Sequence, residues 1–203
     1  DAACYAAGVE ASGEVPVDIL TALGLSIPAG LNAYIPLLAV ALAERFDWLQ
    51  LREPLDVLGS WWMIAIIGVL LVVEIVADKI PAVDHVNDIV QSVIRPAAGG
   101  IVAVAGSGSA SQVSPWVLVL MGVIFAGGIH AAKATTRTVV NATTGGVGAP
   151  VASTVEDTSA VAISAIAIAI PILVVFVVAV ILFGMWWLWR RERLKRRHTE
   201  QME

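Results

Sequence analysis

Residues 61–80 read WWMIAIIGVLLVVEIVADKI, and residues 81–100 continue PAVDHVNDIVQSVIRPAAGG. The first of these is apolar for most of its length. As a helix of about 20 residues it crosses about 30 Å of hydrocarbon. The pair Trp61-Trp62 at its start suits the membrane–water interface, where aromatic side chains gather. Charge then arrives abruptly. Glu74, Asp78 and Lys79 close the apolar run, and Asp84, His85, Asp88 and Arg95 follow it. An ionisable group inside the bilayer costs a few kcal/mol or more, so such groups are paired, hydrated or functional. This stretch therefore predicts a helical membrane protein with charge inside its bundle.

The rest of the chain agrees. Of 203 residues, 58% are apolar and 14% charged, against about 45–50% and about 25% in soluble domains. That balance excludes an ordinary soluble domain, a disordered chain and a nucleic-acid binder. Further apolar windows run from about Ile19 to Phe46, from Trp116 to about Ala132, and from about Ser159 to Trp189. The first is interrupted at Pro28-Ala29-Gly30 and at Pro36. Residues 84–106 are ambiguous. Asp84, Asp88, Gln91 and Arg95 share one helical face with Asn87 beside them. Pro96 is then expected to break the helix, making 84–106 a broken crossing or a re-entrant hairpin, buried in protein or lining a wet cavity. The fold expected is an all-α integral membrane bundle of about five transmembrane elements, within a range of four to six, with Pro-broken or re-entrant segments.

Charge asymmetry sets the expected topology. Residues 1–18 form an acidic tail with Asp1, Glu10, Glu14 and Asp18 and no Lys or Arg. The transmembrane domain spans 19–189, and residues 190–203 form a basic tail. Arg190, Arg191, Arg193, Lys195, Arg196 and Arg197 are half of the chain's twelve basic residues. The positive-inside rule places them in the cytoplasm, which implies a multi-pass protein of a cytoplasmic membrane with its N-terminus outside. Asp1 to Ser12 does not read as a signal peptide, and the missing initiator Met leads us to expect residues upstream. Cys4 is the single cysteine, so neither an intrachain disulfide nor a thiolate metal site is expected.

An offset of 54 residues aligns the chain with itself. Ser60 meets Ser114, Trp62 meets Trp116, Gly68 meets Gly122, Lys79 meets Lys133, Asn87 meets Asn141 and Pro96 meets Pro150. In all, residues 60–98 match 114–152 at 12 of 39 positions, where roughly three or four are expected by chance in so biased a composition. Two such units, each a membrane helix with a polar segment, follow a transporter pattern in which the binding site lies between the repeats.

The polar motifs within this apolar context resemble a known family. They are Glu74-x-x-Ala77-Asp78-Lys79-Ile80-Pro81-x-Val83-Asp84-His85 and Arg95-Pro96-Ala97-Ala98-Gly99 in the first half. In the second half they are His130-x-x-Lys133-Ala134-x-x-Arg137, Asn141-Ala142-Thr143 and Pro150-Val151-x-Ser153-x-x-Glu156-Asp157. They resemble the DUF4126 family of bacterial polytopic membrane proteins over about residues 19–190. The resemblance implies fold, topology and a bacterial inner membrane. It implies no activity, because that family name denotes a domain of unknown function.

The residues themselves suggest a path for a small ion or polar solute, as in a transporter or channel. Its candidates are Glu74, Asp78, Lys79, Asp84, His85, Asn87, Asp88 and Arg95 from the first unit, with His130, Lys133, Arg137, Asn141, Glu156 and Asp157 from the second. Arg95, before a proline, is the strongest single candidate, as an anion ligand or an ion-pair partner of Asp84 or Asp88. The alternative is a non-catalytic scaffold or accessory subunit that binds lipid head groups or partner proteins and pairs its charges internally. An enzyme is the weakest reading: no catalytic residue is assigned, and a Gly-x-Ser-x-Gly elbow, a phosphate loop and a His-Glu-x-x-His motif are all missing. No cofactor is expected. The carboxylates and histidines are suitable metal ligands by type, but no paired spacing fixes a geometry, and a metal stays open. Expected partners are membrane lipids, further copies of the chain or a membrane complex, and the unknown solute.

Overall fold

The computed structural model describes residues 15–79, 81–108, 113–145 and 147–170. The acidic residues 1–14, the remainder of the last apolar window beyond Ile170 and the basic tail 190–203 lie outside them. Six helices account for most of the described residues: α1 (Val15–Leu31), α2 (Tyr34–Arg45), α3 (Trp61–Ala77), α4 (Pro81–Gly106), α5 (Pro115–Thr144) and α6 (Ala149–Ala169). A short 3-10 turn, Leu55–Gly59, leads into α3.

Among the described residues, three stretches are long and apolar enough to cross a membrane: Asn87–Gly106, Pro115–Thr144 and Ala149–Ala169. Ile19–Leu31 and Trp61–Ala77 are apolar but shorter. The outward surface is apolar too. Ile66, Val69, Val72, Val73 and Val76 of α3, and Val117, Leu120 and Ile124 of α5, are all exposed. A water-soluble monomer rarely leaves so continuous an apolar surface uncovered. Trp48, Trp61, Trp62 and Trp116 are exposed at one end of the bundle, as an aromatic belt would be.

The first apolar window does not cross once; it turns back on itself. At the Trp-rich end α1 lies against the end of α4, where a side chain on Gly106 would strike Leu25 and Ala22. One turn deeper, the Ser26 hydroxyl reaches the Gly99 carbonyl at 3.3 Å. Deeper still, Gly30 packs on Ala126 and Ile129 of α5. Helix α2 then returns, so that Val40 and Ala41 share a core with Leu25, Ala29, Val102, Ala105 and Ala167. Beyond α2, Arg52 Nε donates to the Gly108 carbonyl at 3.1 Å, back at the starting end. The break falls at Asn32-Ala33, not at the prolines. Pro28 lies inside α1 and Pro36 sits early in α2, where its missing N–H costs little. Asn32 Oδ1 accepts the backbone N–H groups of Tyr34 and Ile35 at 3.1 and 3.2 Å, which serves the free donors at the start of α2.

A second correction concerns Pro96. Helix α4 runs unbroken from Pro81 to Gly106 with Pro96 inside it, so 84–106 is neither broken nor re-entrant. Transmembrane helices tolerate an internal proline where neighbouring groups serve the freed carbonyl. The matching Pro150 does stand at a break, in the first turn of α6. Helix α5 also outruns its expected end near Ala132. Thr135, Thr136, Thr138 and Thr144 each bond the carbonyl four residues back at 2.7–3.0 Å. Their hydroxyls are thus served within the helix, and α5 stops only at Gly145, whose φ of 61° is left-handed.

Helices α4 and α5 approach closely because Gly99 and Gly122 face each other: a Cβ on Gly122 would collide with the Gly99 backbone. Small residues permit this approach between membrane helices. Gly122→Leu should therefore lower the melting temperature of the detergent-solubilised protein, through overpacking worth about 1–3 kcal/mol. Gly128→Leu, with nothing within 4 Å of its added Cβ, should melt as wild type does. Equal shifts in the two variants would contradict the packing described.

Candidate functional site

The tip of the α1–α2 hairpin ends in a network of buried charge. Glu74 lies in the last turn of α3 and Asp78 caps that helix. Arg95 is on α4, Lys133 and Arg137 on α5, and Glu156 on α6. Glu74 and Asp78 are each 1% exposed, Arg95 0%, Lys133 4% and Arg137 3%. Glu74 stands thirteen residues beyond Trp61, about 20 Å along the helix axis. Spacings of three and four residues place these side chains on the inward faces of their helices.

Asp78 is the hub. Its Oδ2 lies 3.2 Å from Lys133 Nζ, 3.1 Å from Arg137 Nη2 and 3.7 Å from Arg95 Nη2. Its Oδ1 accepts from Asn87 Nδ2 at 2.8 Å. Glu156 joins from the other side: Oε2 is 2.7 Å from Arg137 Nη2 and 3.0 Å from Lys133 Nζ, and Oε1 accepts from Arg137 Nε at 3.3 Å. Lys133 Nζ also donates to the Leu31 carbonyl at 2.9 Å. That carbonyl is free for it because α1 ends there, and a cation suits a helix C-terminus. The ammonium thus has three oxygens for its three donors.

Arg95 organises the other half. Its Nη2 donates to Glu74 Oε1 at 3.0 Å, and its Nη1 lies 3.8 Å from Asp88 Oδ1 and 3.0 Å from His130 Nδ1. Arginine can only donate, so His130 Nδ1 is the acceptor and the ring is the neutral tautomer protonated on Nε2. Its Nε2–H then donates to Ser92 Oγ at 3.1 Å, and Ser92 Oγ donates to the Asp88 carbonyl at 2.8 Å. The direction of each bond in this chain follows from the guanidinium.

Most of the residues expected from the sequence therefore meet. Glu74, Asp78, Asn87, Asp88, Arg95, His130, Lys133, Arg137 and Glu156 form the network. Lys79 and Asp157 pair at its edge, 3.8 Å apart. Asn141 lies one turn past Arg137, and its Oδ1 lacks a hydrogen-bond partner among the described residues. The backbone of Asp84 and His85 belongs to α4, but their side chains lie outside the description. Asn32 and Ser92 were not singled out in advance, and Gln91 was placed on the polar face of α4 but not among the path candidates. Asn32 Nδ2 donates to Asp157 Oδ1 at 3.0 Å while its oxygen caps α2. A lone Asn inside an apolar window was the signal for it. Among the described residues, no three His, Cys, Asp or Glu side chains are grouped to hold a metal ion.

Removing one partner from a buried network leaves the others unpaired, which costs about 3–5 kcal/mol. Asp78→Ala is expected to destabilise the protein by that much in denaturant titrations. Lys79→Ala, whose side chain is 40% exposed, should cost at most about 1 kcal/mol. Similar losses for both would remove Asp78 from the centre of the network.

No curated protein and no solved structure matches the chain. The family described as a domain of unknown function, DUF4126, matches residues 19–191. That match covers most of the sequence and every charged residue of the network. The chain is a membrane protein and belongs to the DUF4126 family.

Proposed function

We propose that the protein moves a small ion or polar solute through this network, as a transporter or channel. The observation that carries the reading is the hairpin tip, where the carbonyl end of α1 meets charges from α3, α4, α5 and α6. Interrupted helices whose freed carbonyls face ionic groups are typical of secondary transporters. The energetics favour a task beyond stability. Buried ion pairs seldom repay their desolvation, and apolar side chains of similar volume commonly hold helices at least as well.

Within this proposal the two units, residues 60–98 and 114–152, supply the two sides of the path. An outside N-terminus and a cytoplasmic C-terminus in a bacterial inner membrane are the topology we favour. The Trp-rich end then faces outside and the network lies toward the cytoplasm. Lys79, Lys133 and Arg137 on that side fit the positive-inside rule. So small a bundle calls for further copies of the chain to complete a path.

A scaffold that holds lipid head groups or partner proteins is the second reading. Its support is the mutual pairing of Asp78, Lys133 and Arg137. Proteoliposome flux separates the two, using a panel of monovalent cations, protons, chloride and phosphate. Transport predicts uptake of at least one of them, reduced at least about tenfold by Asp78→Asn or Arg95→Gln, which corresponds to about 1.4 kcal/mol on the barrier. No flux across the panel, or flux indifferent to both substitutions, would favour the scaffold.

A further inference from the structure

Most carboxylate oxygens of the network have partners. Both oxygens of Asp78 and both of Glu156 have partners. Asp157 is served by Asn32 and Lys79. Asp88 Oδ1 is also buried without a hydrogen bond, but it lies 3.8 Å from Arg95 Nη1 and the rest of its side chain is 23% exposed. Glu74 differs. It is 1% exposed, and its Oε2 has no hydrogen-bond partner among the described residues. Two more orphaned atoms belong to its surroundings. Arg95 Nε is on the guanidinium that holds Glu74 Oε1. Gln91 Oε1, in a side chain 2% exposed, is one turn before Arg95 on the same face of α4.

A buried acceptor without a donor costs about 1–3 kcal/mol, and more when it is charged. A proton on Glu74 Oε2 would turn the buried, unserved carboxylate into a neutral acid, which is far less costly to enclose. Charge balance gives the same answer independently. Among the described residues, the ion pairs of the network join five carboxylates (Glu74, Asp78, Asp88, Glu156 and Asp157) to four cations (Lys79, Arg95, Lys133 and Arg137). One proton makes this set neutral.

The groups facing Glu74 leave it as the place for that proton. Arg95 comes from α4, and Asp78, one turn on, from the end of α3; Lys133 stands on α5. Tyr34, at the start of α2, faces both Glu74 and Gln91. His130 is excluded as the acceptor, because its free nitrogen already takes the Arg95 Nη1 hydrogen. Asp78 is excluded because three cations share its Oδ2.

We propose that Glu74 is a proton-binding site, carrying the proton on Oε2, and that the proton is the coupling ion of the transport path. This rests on the transport reading for its role, though not for its occurrence. In the step, Glu74 Oε2 takes a proton from solvent and the carboxylate becomes a neutral acid; no electrons move. Arg95 then loses its 3.0 Å ionic partner and is left with Asp78 at 3.7 Å and Asp88 at 3.8 Å. Proton uptake is thereby coupled to the position of Arg95, a cation that links α3, α4 and α5.

Infrared spectroscopy of the full chain in lipid tests this. At neutral pH the wild type should show a carboxylic-acid C=O absorption that moves down on exchange into D2O. Glu74→Gln should lose it, and Glu74→Asp should keep it at a shifted frequency, so a folding failure of one variant leaves the other informative. No such absorption in wild type, or one unchanged in both variants, overturns the proposal. Glu74 is then ionised, with Oε2 served by buried water or by the Gln91 amide N–H. That outcome is separate from the flux result: flux of another ion without the absorption removes the proton and keeps the path.

Discussion

The structure depends on one carboxylate that three cations share. Asp78 ends α3, yet its partners come from α4 and α5, and through Arg137 and Lys133 it reaches Glu156 on α6. In water such a cluster would contribute little, because each pair is screened. Inside an apolar bundle every member depends on the others, since an unpaired charge there has no solvent to turn to. Four helices are thereby held in one register at the end of the bundle away from the Trp belt.

The hairpin of α1 and α2 is the second consequence of the same constraint. A helix that stops inside a membrane leaves carbonyls and N–H groups without partners. Here both sets are answered by side chains. Lys133 takes the Leu31 carbonyl, and Asn32 takes the N–H groups that open α2. The break and the network therefore support each other. The turn at Asn32-Ala33 is satisfied only beside the charges, and Lys133 is fully satisfied only beside the turn. At the opposite end the bundle is ordinary for a membrane protein, with small residues at the α4–α5 contact and tryptophans at the surface.

Much of this was legible in the sequence because hydrocarbon is a harsh filter. Composition alone excludes a soluble domain, and ionisable residues in apolar windows stand out from their neighbours. Glu74, Asp78, Arg95, Lys133 and Arg137 were recognisable for that reason. Helix continuity was harder to read. Pro96 and Pro150 occupy matching positions in the two aligned stretches, yet α4 continues through one while the chain breaks just before the other. A proline's effect depends on which neighbouring groups serve the carbonyl it frees, and those neighbours come from other helices. For the same reason the hairpin turned at Asn32 rather than at Pro28 or Pro36.

The sequence by itself determined the class of solvent, the apolar lengths and the identity of nearly every buried charge, because each follows from local composition against a 3.6-residue period. Only the tertiary structure decided which charges meet. Glu74 reaches Arg95, Asp78 collects three cations, and Glu156 closes the network from α6, across 17 to 59 positions of sequence. The tertiary structure also decided that Glu74 Oε2 and Gln91 Oε1 have no hydrogen-bond partner among the described residues. Ion pairing is a matter of a few ångströms between helices, and periodicity along one helix carries no information about that distance.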